Sequence, residues 1–227
     1  MRIANNVELL EIRDERGLLC PVLTWDDHEI VLIDTGLPGQ IDLIREAVSA
    51  AGFGLENISK VILTHQDMDH IGCAKILSEL GAEILAHEEE APYLQGDKTS
   101  VRIAAMESRL DELNEGERLF YERVKQGAPQ FYVKVDRLLK DHETLDFCGG
   151  VQVIHTPGHM PGHIALLLRD SQFIVAGDAA NIADGRLVGA NPDHTQDMPL
   201  AQLSFQKMLD MHPKAVLCYH GGYIRCE

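Results

Sequence analysis

Thr64-His-Gln-Asp-Met-Asp-His70 places four potential metal ligands (His65, Asp67, Asp69 and His70) in six positions, directly after the apolar run Lys60-Val-Ile-Leu-Thr64. Met68 is the one hydrophobic residue among those six, so the segment is not written for packing. Following a strand, a loop of this pattern can aim His65 and Asp67 one way and Asp69 and His70 the other. Three further candidates stand in glycine-rich settings after or between apolar runs: His159 in Thr156-Pro-Gly-His159, Asp178 in Val175-Ala-Gly-Asp178, and His220 in Tyr219-His-Gly-Gly222. Three carboxylates and four imidazoles suit one or two divalent first-row metals. Such a set leaves coordination positions open for water, the mark of a catalytic site. The expectation is a metal-dependent hydrolase.

Working outward, the amino-terminal part reads as strands over Val7–Ile12, Leu18–Trp25 and Glu29–Asp34, separated by turn-like Asp14–Gly17 and Asp26–His28. Helix Ile41–Ala51 follows, with Ile41, Ile44, Ala47, Val48 and Ala51 at helical spacing and Gly52 as its stop. Strand Val61–Thr64, the ligand run, helix Ile71–Leu80 and strand Ile84–Ala86 come next. Strands alternating with helices predict α/β layering. From 88 to 140 the texture changes: Val101–Leu113 and Glu117–Lys125 look helical, and Tyr93, Phe120, Tyr121, Phe131 and Tyr132 collect there. This stretch reads as a helical insertion in a single domain spanning 1–227. Its aromatics can pack internally or form a cap over the site that chooses the substrate. The last third returns to strands at Thr144–Phe147, Val151–His155, His163–Leu168, Phe173–Ala176 and Ala215–Tyr219, with helix Leu200–Met211 before the last.

With 227 residues, the chain can bury one substantial core. Its net charge of −16 and lack of a Lys/Arg cluster disfavour a nucleic-acid partner. No apolar stretch is long enough to span a membrane. Asn5, Asn6 and Glu8 interrupt the apolar region a signal peptide needs, so a cytoplasmic protein is expected. A small-molecule substrate is the expected partner, with homo-oligomerisation left open. The five scattered cysteines contain no C-x-x-C and are read as buried small hydrophobes, with Cys226 exposed.

Taken together, Ile33-Asp-Thr-Gly36, Thr64–Gly72, His155-Thr-Pro-Gly-His-Met-Pro-Gly-His163, Gly177-Asp178 and Tyr219-His-Gly221 resemble the metallo-β-lactamase superfamily along nearly the whole chain. The resemblance implies a four-layer αββα sandwich. It also implies one metal on His65, Asp67 and His159, a second on Asp69, His70 and His220, and Asp178 bridging them. A hydroxide between the metals would be the nucleophile, with Asp69 as the catalytic residue that steers it. Behind the ligands, Asp34 is either a turn cap or the carboxylate that orients a ligand histidine. His163 reads as a structural hydrogen-bonding residue.

The usual family motif carries histidine where this chain has Asp67. Two divalent ions against three carboxylates leave one positive charge, whereas histidine at 67 would leave two. The added carboxylate hardens the first site and moves preference from zinc towards manganese or iron. The flavodiiron branch also carries a carboxylate here, but this chain has no room for its flavodoxin-like domain. Asn181 stands where the lactonases for acyl-homoserine lactones place a catalytic tyrosine, and it can hydrogen-bond a substrate carbonyl. The chain lacks the basic glutathione-binding tail of the glyoxalase II branch and the added domain of the nucleases. The reading is therefore a dinuclear metal-dependent hydrolase of a small ester, thioester, lactone or phosphodiester, holding two divalent ions, zinc before manganese or iron. A non-haem iron oxidoreductase of the same fold is the alternative, and a metal-binding protein without catalysis ranks third.

Overall fold

The computed structural model describes residues 1–226. In chain order the strands are β1 (Arg2–Ala4), β2 (Val7–Leu9), β3 (Ile12–Asp14), β4 (Gly17–Leu19), β5 (Val22–Trp25), β6 (Ile30–Ile33), β7 (Lys60–Leu63), β8 (Glu83–His87) and β9 (Arg137–Leu139). They continue with β10 (Thr144–Leu145), β11 (Val151–His155), β12 (Ile164–Leu168), β13 (Phe173–Val175), β14 (Ala180–Ala183), β15 (Arg186–Gly189), β16 (Ala215–Cys218) and β17 (Gly222–Arg225). The helices are α1 (Ile41–Ala50), α2 (Met68–Ile71), α3 (Ala74–Glu79), α4 (Ala91–Leu94), α5 (Val101–Glu107), α6 (Glu115–Gly127) and α7 (Met198–Leu209). One sheet runs β1-β2-β5-β6-β7-β8-β9 and the other β10-β11-β12-β13-β16-β17.

Alternation along the central strands explains the layers. In β6, Val31 and Ile33 enter the core between the sheets while Leu32 faces α1 and α3; in β7, Ile62 points inward while Val61 and Leu63 point to the helices. The second sheet repeats this: Ile164, Leu166 and Leu168 meet the first sheet, and Ala165 turns to the side packed by Met208 of α7. Strands buried on both faces read as continuous apolar runs. The result is the expected αββα sandwich. Of the described residues, no helix is long and apolar enough to cross a membrane.

Several elements depart from the expected boundaries: Val7–Ile12 is divided between β2 and β3, and the helix expected over Val101–Leu113 ends at Glu107. Pro21 lacks a backbone donor, and Leu18–Trp25 divides there into β4 and β5. Helix Ile71–Leu80 is two pieces, α2 and α3, because Gly72 and Cys73 leave the helical ladder to bond the segment after β6: Gly72 N donates to Gly36 O at 2.9 Å and Cys73 N to Thr35 Oγ1 at 3.2 Å. The hairpin β14–β15 lies outside the expected elements, although its Asp184-Gly185 turn, with both residues at positive φ, is a strong hairpin signal. All five cysteines are free, four of them buried; Cys226 is half-buried rather than exposed.

Between β8 and β9, α4, α5 and α6 occupy the stretch expected to be helical. Tyr121 packs with Ile103, Leu113 and Ala128 in a small cluster of their own. Phe120 faces solvent.

Candidate metal centre

Strands β6, β7, β8 and β9 run parallel, as do β13 and β16, so their carboxyl ends release loops at one edge of the sandwich. Asp34 follows β6, His65–His70 follow β7, Asp178 follows β13 and His220 follows β16. His159 comes from the loop between β11 and β12. All seven candidate ligands converge. His65, Asp67 and His159 form one group, Asp69, His70 and His220 a second, and His65, His70 and Asp178 a third; within each, one ligand atom per residue lies within 4.8 Å of the others.

Asp178 sits between the two outer groups. Its Oδ2 is 3.6 Å from His159 Nε2, while its Oδ1 is 3.3 Å from His70 Nε2 and 3.4 Å from His220 Nε2. Asp67 Oδ2 lies 3.2 Å from His159 Nε2 and 3.5 Å from His65 Nε2, and Asp69 Oδ2 lies 3.3 Å from His220 Nε2. Among the described residues, His65 Nε2, His70 Nε2 and Asp178 Oδ1 are buried side-chain polar atoms without a hydrogen-bond partner. Orphaned polar atoms are costly, and three pointing at one locus fit a bound cation. The donor set of imidazoles and carboxylates fits one or two divalent ions of the zinc, manganese or iron type.

The supporting contacts fix the ring orientations. Asp34 Oδ2 lies 2.8 Å from His70 Nδ1 and accepts from Thr64 Oγ1 at 2.8 Å; Oδ1 accepts from Thr64 N at 2.9 Å. With its hydroxyl proton given to Asp34, Thr64 Oγ1 can accept from His65 Nδ1 at 3.0 Å, turning Nε2 towards the cluster as a bare acceptor. His163 makes no ligand contact of this kind. Its Nε2 accepts from Asp178 N at 3.0 Å and its Nδ1 faces Thr156 Oγ1 at 2.8 Å, so it braces the Asp178 backbone.

The charges are strongly coupled. At Asp178, burial acts upward but is outweighed by His70 and His220, which hold the carboxyl well below its usual range. For His220 burial acts downward, and the nearby Asp178 and Asp69 carboxylates overcome it, lifting the imidazole to about 9. At His70, too, the downward pull of burial yields to Asp34, Asp178 and Asp69. Burial lowers His65 and, more strongly, His163.

Four further residues escaped the ligand-spacing argument. Arg102 of α5 donates through Nε to Asp67 Oδ1 at 2.9 Å, and its Nη2 pairs with Asp67 Oδ2. Glu90, fully buried, accepts from Gln66 N and Gln66 Nε2 at 2.9 Å and from Gly162 N at 2.9 Å, tying the two ligand loops together. Gln66 Oε1 in turn accepts from Val101 N at 2.9 Å. Tyr219 donates to Asp69 O and accepts from Gly36 N, with its ring against His70. A Tyr immediately before a ligand histidine was a signal of sorts; a lone Arg or Glu in a helical stretch carried none.

A cavity of about 840 Å³ opens beside Asp178 and His220, walled by Ile182 and Val188 of the β14–β15 hairpin and by Met198 and Phe205 of α7. Asn181 lies in this wall, its Nδ2 3.5 Å from Gly189 O. A smaller cleft of about 330 Å³ is lined by Asp67, Met68, Asp69, Arg102, Asp178, His194 and His220. His194 borders both, so the polar loop after the hairpin reaches the centre. None of Tyr93, Phe120, Tyr121, Phe131 and Tyr132 lines either space. What the 88–140 stretch contributes to the cleft is Arg102, a cation, rather than its aromatics.

The sequence model of the metallo-beta-lactamase superfamily matches residues 21–220, a span that takes in every one of these ligands. The chain belongs to that superfamily. Among relatives, it is similar to the probable metallo-hydrolase YflN of Bacillus subtilis (strain 168), 31% identical over 88% of this chain and 78% of that protein. It is also similar to hydroxyacylglutathione hydrolase GloC of Haemophilus influenzae, at 25% identity over 69% of this chain and 64% of that protein. Of solved structures, the metallo-beta-lactamase family protein TTHA1429 of Thermus thermophilus superposes with a TM-score of 0.76 at 24% identity, covering 98% of this chain and 75% of that one. This metallo-beta-lactamase-fold chain thus combines the superfamily's architecture with a His/Asp cluster able to hold metal.

Proposed function

We propose that the protein is a dinuclear metal-dependent hydrolase of a small ester, thioester, lactone or phosphodiester that carries an apolar portion. The observation that carries this reading is the division of the two Asp178 oxygens between the two outer ligand groups, the position a bridging carboxylate takes. Two divalent ions in such a site supply a water of lowered pKa as nucleophile and polarise the scissile carbonyl or phosphoryl group. The chain's own residues do the rest. Asp69, at the rim between His70 and His220, is the carboxylate that steers the nucleophilic water. Asn181 presents an amide to the substrate oxygen, and Ile182, Val188, Met198 and Phe205 exclude water around the apolar portion.

A second reading has its own observation. His65, Asp67 and His159 are a two-histidine, one-carboxylate set of the kind that binds non-haem iron, which supports an iron oxidoreductase. Elemental analysis of protein purified without chelator separates the two. About two zinc or manganese ions per chain, with turnover on a panel of acyl esters, thioesters, lactones and phosphodiesters, is the expected result. About one iron per chain, with oxygen consumption and no hydrolysis, would replace the hydrolase reading.

A further inference from the structure

Asp67 stands where the family motif has a neutral histidine, yet it does not bring its charge alone. Arg102 forks onto both carboxylate oxygens, and its Nη2 lies 3.5 Å from His159 Nε2. Of the Lys and Arg side chains in the described residues, it is the one ion-paired to a carboxylate of the cluster. A fork of this type uses about one acceptor site on each oxygen and leaves the others for imidazole or metal. With Arg102 counted, two divalent ions, three carboxylates and one guanidinium leave two positive charges, the same balance that a histidine at 67 would give.

We propose that Asp67 and Arg102 act together as one neutral ligand unit, so that Arg102, a positioning residue from the insertion, sets the metal affinity of the His65–Asp67–His159 site. The inference rests on the metal-centre reading above. Arg102 is well placed for this role: the neighbouring Val101 N is bonded to Gln66 Oε1, so α5 grips the ligand loop at two successive residues. The offset also counters the hardening expected from Asp67 alone, which makes zinc compatible with the site.

A double-mutant cycle tests it. Wild type, Asp67→His, Arg102→Met and the double variant are stripped of metal and titrated with zinc against a chromophoric chelator, following both equivalents. In the Arg102 background, Asp67→His leaves a guanidinium unpaired beside three imidazoles and the incoming ion, and one of the two equivalents weakens at least tenfold. In the Arg102→Met background, the same substitution costs threefold or less. Equal effects in both backgrounds overturn the proposal while leaving the metal centre intact, whereas absence of zinc binding in wild type removes both. Arg102→Gln provides the same cycle should Arg102→Met fail to fold, as judged by thermal unfolding of the stripped proteins.

Discussion

At the scale of single residues, ligands, supporters and substrate-facing groups separate by what each side chain touches. Asp178 faces His159 with one oxygen and His70 and His220 with the other, so Asp178→Ala should lower occupancy of both ions, read as metal per chain after desalting. Two ions retained in that variant would refute its bridging place. Asn181 lies in the cavity wall and turns its amide nitrogen to Gly189 O rather than to a candidate ligand. Asn181→Ala should keep full metal content and lower kcat by about a hundredfold to a thousandfold, the range for losing a substrate-oxygen donor; a loss of metal instead would place Asn181 in the centre. The candidate ligands, which the fold brings together, were readable from residue types and spacing because metal chemistry admits so few side chains. Asp34 left two readings open, and its 2.8 Å contact with His70 Nδ1 is the one an orienting carboxylate makes. Arg102 and Glu90 were not readable, since nothing local distinguishes an arginine that meets a carboxylate 35 positions away from one that meets water.

Among elements, the junction between α2 and α3 holds the ligand loop in place. A Cβ on Gly72 would stand 2.3 Å from Leu37 C and Pro38 N and 2.5 Å from Gly36 O, all backbone atoms that cannot yield. Gly72→Ala should therefore destabilise the fold by about 3 kcal/mol, the upper range for forced overpacking, measured by urea unfolding. A change below about 1 kcal/mol would show that the segment after β6 can move aside. The same contact explains why a single expected helix became two: apolar spacing across Ile71–Leu80 is helical, but the backbone donors of Gly72 and Cys73 are spent on Gly36 and Thr35. The β14–β15 hairpin is the opposite case. Its Asp-Gly turn was visible, yet its importance as a cavity wall depends on α7 packing opposite.

Over the whole molecule, Glu90 joins the two halves of the sandwich and the insertion, through Gln66 on one ligand loop, Gly162 on the other, and Gln66 onward to Val101. Burial pushes its carboxyl up to about 7 from an ordinary 4.5, against the hydrogen bonds from Gln66 and Gly162. The folded protein then holds a proton that the unfolded chain releases, so this group's contribution is complete below about pH 4.5 and is lost as pH rises towards 7. Relative to Glu90→Gln, which cannot titrate, metal-free wild type should lose stability by up to roughly 3 kcal/mol from pH 4.5 to 7.5, seen in paired thermal unfolding. A difference that stays flat across that range would mean that Glu90 titrates in the folded protein as it does in the unfolded chain. The sequence by itself determined the α/β class, the order of the central strands' apolar runs and the seven candidate ligands, because burial periodicity and metal-ligand chemistry are local properties of residue type. Tertiary structure alone decided that the candidate ligands divide around Asp178, that a hairpin and α7 wall the cavity, and that Arg102 of α5 pairs with Asp67. Those facts depend on side chains far apart in the chain meeting across packed layers, and no local pattern encodes such a meeting.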